Sequence, residues 1–194
     1  MAAAVLAGAI GGGDASARPA TYRFDTDHSQ VLFSVSHEDF SRPVGRLRIA
    51  GGWFTFDPDD WSASRVDISI DLATVDLGDP KWNDAVESSQ FLDANHWRTA
   101  RYTGGKVERT GDKTGIIHGT LDFHGHVAPV DVSFTLNRIG DDPYAFAAKA
   151  GFSARAKISR SAFGLTRFRD VVGDEVDLRF EIEGLRGGEP EGTR

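Results

Sequence analysis

The chain contains no cysteine among its 194 residues. Disulfides, thiolate zinc sites, iron–sulfur clusters and cysteine nucleophiles are therefore excluded. Basic runs are missing as well: 29 acidic side chains outnumber 22 basic ones, for a formal net charge of −7. A protein that binds nucleic acid irrespective of sequence replaces phosphate counterions with Lys and Arg, so that class is excluded too. There is no Gly-rich phosphate loop, dinucleotide fingerprint or zincin helix. No apolar run approaches the roughly 18 residues of a membrane-crossing helix. Stretches of Ala, Leu, Glu and Lys are scarce after the first ten residues, which leaves little material for helices.

Glycine, by contrast, is abundant at 22 residues, in a chain of ordinary globular composition, 40% hydrophobic and 26% charged. That balance favours β structure with many turns. The length fits one domain, or one domain and a processed leader. Residues 1–17 have the shape of a signal peptide: an apolar run, MAAAVLAGAI, then three glycines and the triplet Ala15-Ser16-Ala17, although no basic residue precedes the run. The expectation is a soluble periplasmic domain over residues 18–186, with 187–194 as a loose tail.

From Thr21 onward the dominant period is two. Val31, Phe33, Val35 and His37 alternate with Leu32, Ser34 and Ser36. Val66, Ile68, Ile70 and Leu72 oppose Asp67, Ser69 and Asp71; Val130, Val132, Phe134 and Leu136 oppose Asp131, Ser133 and Thr135. Val176, Leu178, Phe180 and Ile182 do the same against Asp177, Arg179 and Glu181. Each pattern predicts a strand with one dry and one wet face. Residues 45–57, 99–109, 115–123 and 144–159 are weaker strands of the same kind. Glycine- and Asp-rich turns at 111–115 and 140–143 predict hairpins, hence antiparallel pairing. About eight one-sided strands close into a barrel or stack as a sandwich. One interval differs: Asp79-Pro80 followed by Trp82, Val86 and Gln90 predicts a short helix over 81–91.

Six motifs in order carry a family likeness. They are Tyr22-x-Phe24-Asp25-x-Asp27-His28-Ser29 with the strand after it, Ala73-Thr74-Val75-Asp76, and Ser89-Gln90-Phe91-Leu92-Asp93. Then come Gly119-x-Leu121-Asp122-Phe123-His124-Gly125, Ile158-Ser159-Arg160-Ser161-x-Phe163-Gly164, and Val172-Gly173-Asp174-x-Val176-x-Leu178. Together they resemble the YceI-like proteins over residues 21 to about 185. The resemblance implies an extended, eight-stranded, antiparallel lipocalin-like β-barrel with one short helical insertion. It implies a non-enzymatic, exported carrier that binds a polyisoprenoid, isoprenoid quinone or similar amphiphile inside the barrel, with no cofactor. A membrane cytochrome of the b561 type and a homodimer are the partners it suggests. Two stretches depart from the family pattern: the helix start Lys81-Trp82-Asn83-Asp84-Ala85, and Leu121-Asp122 before the His-Gly turn.

The expected ligand-binding wall comprises Val31, Phe33, Val35, Ile68, Ile70, Val132, Phe134, Phe152, Leu178 and Phe180, with Phe163 from the fifth motif. Trp82, Phe91 and Trp97 are expected at a lid or mouth. Small residues at Ala148, Ala150, Ala154 and Ala156 alternate beside Phe152 and predict a groove. His37, on the face of Phe33 and Val35, is placed to meet a polar head group. His124 and His126 have metal-ligand spacing but sit in a turn, so no metal is expected there. His28 lies between Asp27 and Ser29, which are expected to cap the first turn rather than form a triad. Arg155, Lys157, Arg160, Arg167 and Arg169 concentrate positive charge either at a head-group site or on a solvated face. Two alternatives to the carrier stand at this point. One is a stress-induced interaction module with a solid barrel; the other is a lipid- or quinone-directed enzyme using His37 or His124/His126.

Overall fold

The computed structural model describes residues 19–188, so the expected leader and nearly all of the expected tail lie outside the described residues. Nine strands follow in order: β1 (Ala20–Phe24), β2 (Gln30–His37), β3 (Val44–Phe56), β4 (Arg65–Asp76), β5 (Thr99–Arg109), β6 (Thr114–Phe123), β7 (His126–Asp142), β8 (Ala147–Ser159) and β9 (Val172–Arg186). The ladder runs β3-β2-β9-β8-β7-β6-β5-β4, and β4 pairs back onto β3. That last pairing closes a ring of eight antiparallel strands and leaves no long free edge.

The ninth strand does not enlarge the ring. β1 pairs with residues 53–56 of β3 and 184–186 of β9, while β2 pairs with residues 44–47 and 172–181 of the same two strands. β1 and β2 thus lie end to end as one interrupted stave. The interruption is built on Asp25, whose carboxylate accepts the backbone N–H groups of Asp27 and His28 and lies 2.7 Å from His28 Nδ1. Ser29 Oγ bonds the backbone of Glu183 on β9 rather than the turn, and Asp25 rather than Asp27 supplies the acceptor of the turn. That acceptor is the side chain of the residue directly after β1.

Glycine pairs let the strands bend. In β3, Ile49 and Leu47 share one phase, then Gly51-Gly52 shift the register and Phe54 and Phe56 take over from the opposite parity. Gly52 adopts φ 132°, and a Cβ there would lie 2.2 Å from the Asp67 carbonyl oxygen, so only glycine fits this corner. A similar slip occurs in β5 between Gly104 and Lys106. These slips explain why β3 and β5 read as weak strands.

The single helix, α1 (Pro80–Glu87), starts as expected: the Asp79 carboxylate accepts the N–H groups of Lys81 and Trp82, and Pro80 takes the first position. It ends at Glu87, four residues before the predicted 91. Ser88 leaves the helical region, donates its hydroxyl to the Ala85 carbonyl, and offers its own carbonyl to Phe91 and Asp93. The second hairpin is also displaced from expectation. β7 continues through Asp142, which then caps the turn by accepting the N–H groups of Tyr144 and Ala145.

Beside the interrupted stave, Lys149 Nζ lies 2.8 Å from Asp142, 2.8 Å from Glu183 and 3.4 Å from Asp25. The ammonium and the two turn N–H groups hold the Asp142 carboxyl down at about 2. Burial is the largest single influence on Asp25 and works against its charge, but the side-chain and backbone bonds from His28, the imidazole's charge and the bond from Lys149 together outweigh it and lower that carboxyl as well. His28 is raised by the same bond. The signs are opposite. The Asp142 contribution is present above pH ~4 and disappears as pH falls through about 2. The His28 contribution is complete below pH ~6.5 and is lost as pH rises through its folded value. In urea titrations, Lys149→Met should have a lower midpoint than the parent at pH 7 and converge with it near pH 2. A gap that persists in acid would show that Lys149 acts through packing instead.

Candidate functional site

Strands of 13 to 17 residues in β7 and β8 make a tall container. Thirteen residues at ~3.3 Å each, tilted by ~40°, give a height of roughly 33 Å. Its two ends differ. The floor lies at the end where β3 passes to β4. There a 3-10 turn, Trp61–Ala63, lays Trp61 against Phe134 with ring centroids 5.5 Å apart, and Phe56 meets the same indole edge-on at 5.2 Å. The Trp61 N–H donates to the Pro58 carbonyl at 3.1 Å, and the Arg109 guanidinium covers the ring at 4.7 Å. Phe152 packs edge-on against Phe54, Phe56 and Phe134. This aromatic cluster plugs the floor.

Above the plug the barrel is open. A cavity of about 500 Å³ with almost wholly apolar walls runs from the floor aromatics up to α1 and the 164–172 loop. Eight strands leave an interior that side chains alone can fill. Here the larger ones lie against the wall. A Cβ on Gly45 would sit 2.2 Å from the ring of Phe33, its direct cross-strand partner, and one on Gly115 would sit 2.8 Å from Phe134. Tyr102 lies over Gly119 in the same way, and Phe54 over Gly184. Each ring occupies the space that its neighbour's missing side chain vacates. On β8, Ala154 and Ala156 add little bulk to the lumen, as the alternation predicts.

The expected wall residues Val31, Phe33, Val35, Ile68, Ile70 and Val132 all line this cavity. So do Phe134, Phe152, Leu178 and Phe180, while His37, Trp82 and Phe91 stand at its mouth. Two expected residues do not. Trp97 stacks on His96 at 4.7 Å and covers Gly125, where any Cβ would meet its ring at 2.6 Å. Phe163, 1% exposed, packs on Phe123 in the core beside the mouth. Trp97 was drawn away because the helix stops early and the chain folds back over the β6–β7 turn. Several lining residues escaped the sequence reading. Leu47 and Phe54 lie on either side of the glycine phase slip, and Phe168 sits in an apparently polar loop, Arg167-Phe168-Arg169. An aromatic isolated between two arginines was the available signal for the last.

Polar groups at the cavity are few, and most are already engaged. The Tyr102 hydroxyl is shared between the carbonyl oxygens of Ile117 and Val130, 3.1 Å from each, and burial raises its pKa. Arg160, only 6% exposed, donates to the carbonyls of Leu165, Val172 and Gly173. Its guanidinium pins both ends of the 164–172 loop at the mouth. Desolvation lowers its pKa. The expected basic cluster is thereby divided. Lys157 pairs with Glu175 and Asp177, Arg160 is the buried pin, and Arg167 and Arg169 stand exposed on the loop.

His124 and Gly125, both at positive φ, form the two-residue β6–β7 turn. His124 packs near Trp97, and His126 Nδ1 reaches the His124 carbonyl at 2.9 Å. Neither lines the cavity. Among the described residues, Asp25, His28 and Glu183 bring metal-type donor atoms close together, but Lys149 already pairs with two of them.

Comparison with known proteins agrees with this architecture. The family model of the YceI-like domain matches residues 22–184. The chain is 31% identical over 173 residues to protein YceI of Salmonella newport (strain SL254), spanning 88% of this chain and 90% of that protein. Burkholderia cenocepacia BcnA superposes with a TM-score of 0.74 at 24% identity, over 82% of this chain and 98% of that one. A polyisoprenoid binding domain from Saccharophagus degradans, implicated in plant cell wall breakdown, superposes with a TM-score of 0.65 at 15% identity, over 87% and 99%. At these identities the structural likeness is one of fold.

Arg160→Met removes the pin and leaves three carbonyls without their donor. Each stranded acceptor costs about 1–3 kcal/mol when water cannot reach it. The variant should lose roughly 2 kcal/mol or more of stability, with amide exchange accelerated first in residues 164–173. Uniform acceleration across the barrel would assign Arg160 to the general core.

Proposed function

We propose that this chain, which belongs to the YceI-like family, binds a long-chain amphiphile of the polyisoprenoid or isoprenoid-quinone class in its barrel and carries or sequesters it unchanged. The observation that carries this reading is the open lumen, about 500 Å³ with apolar walls and a plugged floor. A cavity so dry-walled favours hydrocarbon, because each buried CH₂ contributes about 0.8 kcal/mol. Micromolar affinity needs about 8 kcal/mol, which roughly ten buried carbons match before ordering costs. A slender ligand some tens of ångströms long fits a container of this height better than a compact one. The fold likeness to a domain described as polyisoprenoid-binding points the same way.

An enzyme would need polar groups converging on a reacting atom. His37 is the only histidine among the described residues that lines the cavity, and it stands at the mouth beside Trp82, with ring centroids 6.1 Å apart. It is placed to meet a carbonyl or other head group. Export of the domain, suggested by residues 1–17, is part of the same proposal, since a lipid carrier acts where lipid must cross water.

Native mass spectrometry of gently purified protein should show one added mass of several hundred daltons. Ala154→Phe builds a ring into the lumen at a position that the walls leave free. It should keep the fold and lower lipid occupancy tenfold or more, because roughly two displaced CH₂ groups already exceed 1.4 kcal/mol. Bare parent protein, or undiminished lipid in Ala154→Phe, would sink the carrier reading.

A further inference from the structure

The mouth of the barrel is surrounded by aromatic side chains that nothing in the fold requires to be exposed. Phe40, on the loop between β2 and β3, is 89% exposed. Trp82, at the third position of α1, and Phe168, on the loop after β8, are also exposed. These three come from separate segments, and the strand directions bring all of them to the same end. Trp82 and Phe168 line the cavity as well, and Phe168 stacks on Phe91 at 5.2 Å. The apolar surface is therefore continuous from the outer rim into the lumen. Phe168 is held there at φ 54°, a backbone conformation that a bulky residue rarely adopts.

Cations flank this rim. Lys81 precedes Trp82, and Arg167 and Arg169 bracket Phe168. Elsewhere on the barrel many arginines pair with carboxylates, such as Arg98 with Asp71 and Arg101 with Asp67. The rim also carries acids, since Glu38, Asp39, Asp84, Glu87 and Asp170 share it, so its positive charge is local to Lys81 and to Arg167 and Arg169. What separates this end from the floor is its continuity with the lumen. At the floor end the exposed Tyr144 and Phe146 follow Asp141-Asp142 on a hairpin tip and line no cavity. Exposed aromatics with flanking Lys and Arg suit the interface of a bilayer, where rings sit at the head-group level and the cations meet lipid phosphates.

We propose that the rim formed by Phe40, Trp82 and Phe168, with Lys81, Arg167 and Arg169, is a docking surface for an anionic phospholipid bilayer. Docked in this way, the mouth opens directly onto the acyl region, and a long ligand passes into the barrel without exposing its chain to water. The proposal rests on the carrier reading for its purpose, but not for its test.

The test is co-sedimentation of the full chain with phosphatidylcholine vesicles, with and without 30% phosphatidylglycerol, at low salt. Binding is expected to the anionic vesicles, to weaken with added salt, and to fall at least fivefold in Phe40→Ser combined with Arg167→Glu. Neither residue lines the lumen, so the affinity of this variant for an isoprenoid added in detergent solution should be unchanged. Tyr144→Ser combined with Phe146→Ser should bind vesicles like the parent. Parent protein that ignores anionic vesicles, rim variants that bind them fully, or equal loss from the floor-end variant would each overturn the docking surface. Protein that docks yet carries no lipid would overturn the carrier reading and leave the docking surface standing.

Discussion

The contacts on which the site depends are those between aromatic rings and glycines across neighbouring strands, or in one case across the short β1. An eight-stranded ring has an interior narrow enough for its own side chains to close. Phe33 over Gly45, Phe134 over Gly115, Tyr102 over Gly119 and Phe54 over Gly184 keep it from closing. A ring laid on a glycine still buries its area and stabilises the wall, but along the sheet rather than across the lumen. The same small residues also let the strands slip phase and curve, as at Gly51-Gly52, so bending and hollowing come from one composition.

The container that results is asymmetric. Trp61 and its aromatic neighbours stop one end, with the indole N–H and the Arg109 charge both engaged. At the other end Arg160 secures a loop by three bonds to main-chain oxygens. A buried cation is expensive to desolvate, and here the cost is offset by acceptors that would otherwise themselves be stranded. Its donors are directed into the protein, and the lumen stays nearly free of competing polarity. Such a space selects for length and dryness in a ligand, while orientation is left to the few groups at the mouth.

Much of this was legible in the sequence. Strands with an uninterrupted period of two, such as β2 and β9, were placed with their inward faces correct, because one buried face fixes the alternation. The family motifs extended the same reading across the whole domain. What the pattern concealed has physical causes. A glycine bulge reverses inward and outward parity, so Phe54 and Phe56 fall out of phase with Leu47. The helix ended at Ser88 through a side-chain bond that competes with the helical ladder, and this moved Trp97 away from the mouth. The half-strand β1 drew no strand reading of its own, because five residues carry too little alternation and pairing partners are not written in local periodicity. The partners of Arg160 lie 5 to 13 residues away, on a loop whose path no alternation describes.

The interrupted stave has one more consequence. Because β1 enters opposite the last residues of β3, and β9 leaves alongside it through the pairing of Tyr22 with Arg186, both described ends of the chain emerge beside the plugged floor. A tether or fusion attached at either described end would join the vessel at the pole opposite its opening.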